Sequence, residues 1–528
     1  MPGAGSMNRF GLLFRGLTFL LSALVFQPVL WAEPDAGTAF SLSLDDFIRE
    51  VVHTNPLVRE AHLQWLINYR KAQAEWGTFE PEVVASLNRD KLKRQNNALQ
   101  AAQLLGSPEF AEDNREYGLG LEGRFPSGGT YRVGYNLKRM QNTYTAGEDQ
   151  FESFAGVSAE QPLLRGLTHG APLAPIRVAQ QDRYIAFHEY RRQVMDTISQ
   201  AERAYWNLGF AQQLLGMARD SVRIAQELLN EVREQLEAGR LTEPDLFEAE
   251  AELETRLAFQ ADSEQTLRDA LTQVKLLLSS GELGQREELE ASDPLVGRLP
   301  EGWNEERQRE ESVRWALRAQ PDYMVQWEQL QRESLVVEYR RDQALPALNL
   351  KGSYGLSGLG ETVEGSLDKL RQWNYPSWSI GLELRVPVLL GLRQRNELET
   401  ARLTKKLSEV RLNALEYELT RSIAVLIQRV ATWRSRIENA KKIVELKQRL
   451  LGIEQARMQA GKATIQQVYD SEEKLTAARK SELDAMVRYR EALMDLALVR
   501  GSVLRDKGLE EMVDGQVVLS DPLYYQGE

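Results

Sequence analysis

The apolar positions of the chain fall into two patterns. In the first, Ala201, Ala204, Leu208, Ala211, Leu215, Ala218, Val222, Ala225, Leu229, Val232 and Leu236 recur at alternating spacings of three and four. Ile423, Leu426, Val430, Trp433, Ile437, Ala440 and Val444 repeat the pattern further on. A narrow stripe sustained this long predicts helices packed lengthwise, with small alanines allowing close approach. A helix from about Ala171 to Glu237 reaches on the order of 100 Å at 1.5 Å per residue. That dimension suits a tube or a rod.

The second pattern has period two. In WSIGLELRV, Trp378, Ile380, Leu382, Leu384 and Val386 share one face, and Ser379, Gly381, Glu383 and Arg385 the other. In YRVGYNLKR, Tyr131, Val133, Tyr135 and Leu137 oppose Arg132, Gly134, Asn136 and Lys138. ALNLKGSYGL alternates through Leu348, Leu350, Tyr354 and Leu356. Soluble half-buried strands also alternate. Here the strands are few, and aromatic residues gather near their ends (Trp373, Tyr375, Trp378; Tyr117, Phe125, Tyr144). Apolar-out, polar-in strands with aromatic girdles are what an outer-membrane barrel requires, and so few strands close a pore only if several copies contribute.

The long helices break at matching places. In LEAGRLTEPDLFEAE, Gly239 disfavours helix, Thr242 is a good N-cap and Pro244 fits a first turn. QAGKATIQQVYDSEEKL aligns with it, with Gly461 over Gly239, Thr464 over Thr242 and Glu472 over Glu250. SAEQPLLRGL and ELRVPVLLGL align as strand-to-helix corners, Pro162 over Pro387 and Gly166 over Gly391. The helices holding NPLVREA and QPDYMVQ pair likewise. The chain is therefore a duplication. It divides into residues 1–32, a first repeat over 33–290, a linker over 291–308, a second repeat over 309–505 and a tail over 506–528.

Composition narrows the function. Residues 7–32 carry Arg9 and Arg15 ahead of an apolar run and then polar EPDAG, the form of a secretory signal. After residue 32 no segment is long and apolar enough for a spanning helix. Entry into a membrane must be as strands. The net charge of −12 argues against nucleic acid as a partner. The absence of cysteine removes disulfides, thiolate metal sites and thiol catalysis. His53, His62, His169 and His188 lack metal-ligand spacing. GLGLEG (118–123) formally matches a dinucleotide fingerprint but runs into RFPSGG, a turn where a helix is needed. No nucleophile elbow or P-loop occurs, so catalytic residues, metal and cofactor are all expected to be none.

Together the opening helix SLSLDDFIREVVHTNP, the corner QPLLRGL and the paired turns EAGRLT and QAGKAT, in a duplicated chain, resemble the TolC family of outer-membrane efflux and secretion channels. The resemblance covers about residues 40 to 505. It implies a mainly α fold with a membrane β-barrel, in which a homotrimer shares one barrel in the lipid of the outer membrane of a Gram-negative bacterium. That barrel continues as an α-helical barrel across the periplasm. Periplasmic adaptor proteins and an inner-membrane pump engage the far tip, and the pump supplies the energy. The resemblance puts Gly239, Arg240, Leu241, Thr242, Gly461, Lys462, Ala463 and Thr464 at the docking tip. It puts Asp245 and Asp470 at the pore constriction, with Gln467 where the family has another aspartate. One departure is an insertion in the first half that includes the hairpin YGLGLEGRFPSGGTYRVGYNLKR (117–139), either as added barrel strands or as a surface extension. The alternative function is a periplasmic coiled-coil adaptor, which should have one helical hairpin and a soluble β-domain.

Overall fold

The computed structural model describes residues 40–514 apart from 104–107, 144–147, 168–169, 280–283, 285, 287–288, 296–303, 388–390 and 461. The expected signal (1–32), Tyr144, His169, Gly461, the centre of the linker and the end of the tail lie outside the described residues.

The first repeat runs β1 (Phe40–Leu42), α1 (Leu44–Thr54), α2 (Pro56–Ala74), β2 (Glu82–Gln95), α3 (Ala98–Gln103), β3 (Glu109–Arg124), β4 (Thr130–Met140), β5 (Gln150–Pro162), α4 (Gly170–Glu237) and α5 (Glu243–Leu278). The second, after the short strand β6 (Leu289–Ala291), runs α6 (Glu305–Ala319), α7 (Pro321–Gln343), β7 (Ala347–Gly360), α8 (Val363–Arg371), β8 (Pro376–Arg385), α9 (Leu392–Gln459) and α10 (Ile465–Arg500). A single turn, α11 (Val503–Asp506), follows. The duplication is metrical as well as sequential: α4 and α9 each have 68 residues, and α5 and α10 each have 36.

Local chemistry explains where the helices start. Asn55 and Gln320 stand before Pro56 and Pro321, and their side chains accept from the amides of Leu57 and Tyr323. A proline in the first turn forfeits no helical hydrogen bond, so each pair is a cap and a start signal together. The alanine stripe of α4 is buried as expected, with Ala201, Ala211 and Ala218 fully covered. A large core gathers Phe47, Trp65, Tyr190, Tyr205 and Leu208 from α1, α2 and α4 around these alanines. β1 and β6 pair in parallel beside it. The Tyr205 hydroxyl joins the main-chain carbonyl of Leu42 (2.8 Å) and the carboxylate of Asp293 (2.7 Å), tying the start of the first repeat and the linker to α4. A second core joins α6, α9 and α10 through Ala316, Ile423, Val430, Ala485 and Ala492.

Six strands form one antiparallel sheet in the order β2-β3-β4-β5-β7-β8. The hairpin of 117–139 pairs within this sheet, between β2 and β5. Its PSGG turn closes by hydrogen bonds between Phe125 and Gly129 (2.7 Å) and between Gly128 and Phe125 (2.8 Å). α8 lies across β5 and β7, where Ser366 and Ser153 hydroxyls meet at 2.7 Å. Glycine allows that approach: a Cβ on Gly358 would stand 2.1 Å from the Ser366 carbonyl oxygen.

Between the two helical hairpins, Arg256 of α5 reaches Glu472 of α10 at 3.1 Å, and also pairs with Glu252. Both side chains are under a tenth exposed. Glu472 also accepts from Ser221 of α4 (2.6 Å) and Thr476 (2.8 Å) through Oε1; its Oε2 has the ion pair but no hydrogen bond. Glu250, which aligns with Glu472, instead pairs with Arg233 on the surface, 44% exposed. Removing one partner of a buried pair strands the other charge, whereas a surface pair is worth little. Glu472→Ala is therefore expected to cost about 3 kcal/mol, and Glu250→Ala under about 1 kcal/mol, read as shifts of the denaturant midpoint. Equal shifts in the two variants would remove the distinction.

Candidate functional site: the helical tip and the two-faced sheet

The two turns are built alike. α4 ends with Gly239 in the left-handed region (φ +70°), its amide bonded to the Leu236 carbonyl and the Arg240 amide to that of Gln235. Any side chain at Gly239 would be strained by that φ, although the space around it is open. α9 ends the same way, the Lys462 amide bonding to the Arg457 carbonyl. Gly461, the mate of Gly239, is outside the described residues. Thr242 and Thr464 then cap α5 and α10.

The caps show what two of the candidate polar residues do. The Thr242 amide and hydroxyl both donate to Asp245, at 2.8 and 2.6 Å. The Thr464 amide donates to Gln467 (3.0 Å), whose own amide donates to the Thr464 hydroxyl (3.4 Å). Asp245 and Gln467 are thus equivalent members of two capping boxes. The Thr242 hydroxyl, then its amide, hold the Asp245 carboxyl below its ordinary range. Asp470 lies one turn further along α10, half-exposed, accepting from Gln466 at 3.3 Å.

Both turns stand at one end of the molecule, because Ile465, opening α10, packs on Leu229, Val232 and Ala249 of the other hairpin. Leu241 packs on the same cluster and Ala463 is half-buried. Gly239, Arg240, Thr242, Lys462 and Thr464 remain exposed. The strand-to-helix corners occupy the opposite end of α4 and α9. Gly166 has φ +89° and donates its amide to the buried carboxylate of Asp342 at 2.8 Å; Gly391 has φ +69° and precedes α9. Pro162 ends β5, and Pro387 follows β8.

The sheet has two chemically opposite faces. Val83, Leu121, Val133, Val157, Tyr354 and Trp378 are successive cross-strand partners through all six strands. The neighbouring row, on the other face, is Glu82, Glu122, Arg132, Ser158, Ser353 and Ser379. Outside the part of β5 and β7 that α8 covers, the apolar face is open: Val83 is 74% and Trp378 73% exposed, with Ile380, Leu382 and Leu384 similarly bare. The polar face is laced by ion pairs, Arg132–Glu122 at 3.2 Å, Lys351–Glu160 at 3.7 Å, and Glu383 with Lys351 and Arg385. Gly118 and Gly120 of GLGLEG lie on that polar face within β3.

Three features escaped the sequence reading: the buried Arg256–Glu472 pair, the helix α8 over the sheet, and the extent of β2 and β3. Those two strands continue through charged residues to Gln95 and Glu109, where period-two apolarity has stopped. Among the described residues no helix is long and apolar enough to cross a membrane.

Residues 313–502 match the family model described as outer membrane efflux protein. A comparison with curated proteins finds no match. Solved structures share the fold across the chain. The Campylobacter jejuni CmeC outer membrane channel aligns with a TM-score of 0.63 at 15% identity, covering 92% of this chain and 93% of that one. The Vibrio cholerae outer membrane protein VceC aligns at 0.62 and 15% identity, covering 87% and 96%. The open state of the Neisseria gonorrhoeae MtrE outer membrane channel aligns at 0.61 and 17% identity, covering 87% and 88%. The second repeat therefore matches an outer membrane efflux protein domain, and the chain from end to end shares the fold of solved outer-membrane channels.

Proposed function

We propose that this chain is one third of a passive exit duct: a homotrimer crossing the outer membrane as a β-barrel and the periplasm as an α-barrel, serving a tripartite efflux or type I secretion system. The observation that carries this reading is an apolar sheet face with both edge strands, β2 and β8, unpaired among the described residues. Hydrocarbon tolerates no open sheet edge, so the six strands need partners from other copies.

The helices support the same closure. α9 leaves Leu403, Leu407, Val410, Ile443, Leu446 and Leu450 exposed along one stripe, on the flank away from α4. The opposite flank of the molecule exposes Leu57, Leu63 and Ile67 on α2, and Phe247 and Leu257 on α5. Two different apolar flanks make a head-to-tail contact, the kind that closes into a ring. Leu63 and Leu403 stand equally far from the sheet-proximal ends of α2 and α9, and Leu257 and Leu446 nearly equally far from the tip. The chain lacks cysteine, so introduced pairs are read without background. Leu63→Cys with Leu403→Cys, and Leu257→Cys with Leu446→Cys, are each expected to give a crosslinked trimer on denaturing gels. Only monomer or intramolecular products from both pairs would reject the ring.

At the tip, Arg240 and Lys462 present two cations at matching positions of the two repeats, suited to acidic or carbonyl groups on a periplasmic adaptor. The double replacement Arg240→Glu and Lys462→Glu is expected to lower adaptor crosslinking by about tenfold or more while trimers persist. Undiminished crosslinking would move the docking surface elsewhere. Asp470, free of capping duty, is the carboxylate we assign to the constriction, where three copies form a ring that favours cations. Asp470→Asn should reduce cation selectivity, measured as the reversal potential across a bilayer under a salt gradient; an unchanged potential would remove Asp470 from the pore.

A further inference from the structure

The apolar face ends abruptly on one side. Leu87, Tyr117 and Leu137 form its last apolar row on β2, β3 and β4. Two residues further along each strand, on the same face, stand Arg89, Arg115 and Arg139, which are direct cross-strand partners of one another. Like charges placed opposite each other destabilise a sheet pair. A row of three arginines therefore asks for anions.

The protein supplies part of that charge. Arg89 makes two hydrogen bonds to Asp113, at 2.9 and 2.6 Å, and Arg139 pairs with Asp149 at 2.8 Å. Among the described residues Arg115, between them, has no ion pair of its own; the acid beside it, Asp113, is already engaged by Arg89. Lys91, exposed on the same face one row further out, adds another cation. α8 covers the same face of β5 and β7, so the row opens only over β2–β4.

Position identifies the occupant. The row lies beyond the apolar band on the side away from the long helices, since β2 leaves α2 at the near end and β5 runs back to α4 there, and β2 and β3 run on past it to Gln95 and Glu109. From the aromatic rim at Trp76 and Phe79 up to Arg89, a tilted strand climbs roughly 25 Å, the height of an outer-membrane barrel's apolar band. On the reading that this sheet spans the outer membrane, the arginines sit at the headgroup level of the outer leaflet. Guanidinium groups bind phosphate oxygens in paired hydrogen bonds. Tyr117, directly below and 44% exposed, is suited to the boundary between acyl chain and headgroup. We propose that Arg89, Arg115 and Arg139 form a docking row for the phosphates of an anionic, phosphorylated glycolipid of the outer leaflet. Arg115 and Arg139 belong to the hairpin strands β3 and β4, so the insertion would supply this lipid contact.

The test uses the full-length trimer in phosphatidylcholine nanodiscs, with a bisphosphorylated acylated glucosamine disaccharide as probe and its dephosphorylated form as control. Lipid retained by the trimer is counted by native mass spectrometry. The triple Arg→Gln variant at 89, 115 and 139 is expected to conduct as before and to retain the phosphorylated lipid about tenfold less. Arg115→Gln alone should lose several-fold, and the triple Arg→Lys variant, which keeps charge without the forked geometry, should fall between. Equal retention by wild type and Arg115→Gln, equal retention of the dephosphorylated lipid, or full competition by inorganic phosphate would each overturn the proposal. A wild-type protein that forms no conducting trimer would instead overturn the membrane reading on which it rests.

Discussion

Everything in this molecule follows from one unmet requirement: a sheet with an apolar, exposed face whose two end strands have no neighbours among the described residues. In water the apolar face would be an aggregation site, and in hydrocarbon the open edges would each strand a column of amides and carbonyls. Neither solvent accepts one copy. On the proposed reading, closure by further copies satisfies both at once, and it dictates the rest. On that reading a barrel wall continued below the membrane is carried by helices running along the pore axis, which accounts for the length of α4 and α9 and for their narrow stripes. The exposed leucines on α9 are then the helical counterpart of the bare edge on β8.

Much of this was legible in the residues. The heptad stripe of 201–236 marked α4 because each member is set by packing against another helix, and packing leaves a periodic trace. The PSGG turn marked the β3–β4 hairpin because its backbone bonds are local. The alternation in WSIGLELRV marked both faces of β8, since two surroundings of opposite polarity on the two sides of a strand impose a two-residue period. What the sequence hid is what depends on distant partners. Arg256 and Glu472 read as ordinary charges on solvated helix faces, and nothing nearby in the chain says that one buries against the other. Asp245 read as a mouth carboxylate; its bonds to the amide and hydroxyl of Thr242 three residues earlier give it a capping role as well. That role was written in the TEPD spacing, as a capping box with aspartate in the place of glutamate. The outer parts of β2 and β3 were missed because a strand whose two faces both carry charged residues has no alternation to betray it.

The two repeats have diverged unevenly, and the unevenness has a physical gradient. At the tip they remain near copies: equal helix lengths, the same hydrogen-bonded stop, threonine caps and a three-residue reach to Asp245 or Gln467. Both turns must reach the same depth for a ring of hairpins to end in one plane, so a change of length in one repeat would disturb the other. At the opposite end the first repeat contributes four strands to the sheet and the second contributes two. A hairpin added there widens the sheet without shifting either corner, because β2 still starts, and β5 still ends, beside the helices.

That freedom has a boundary condition. An added hairpin must present the same apolar face to the same band of lipid, or it costs more than it contributes. β3 and β4 meet it row by row: Leu121 with Val133, Leu119 with Tyr135, Tyr117 with Leu137. Polar partners, such as Glu122 with Arg132, stay on the other face. A slip of one residue in either strand would carry glutamate, asparagine and lysine into hydrocarbon, a penalty of a few kcal/mol per basic side chain at the midplane. In a sheet that spans the membrane, register in this hairpin is therefore fixed by the lipid as firmly as by the turn. Where the band ends the constraint lifts, and the arginine row begins.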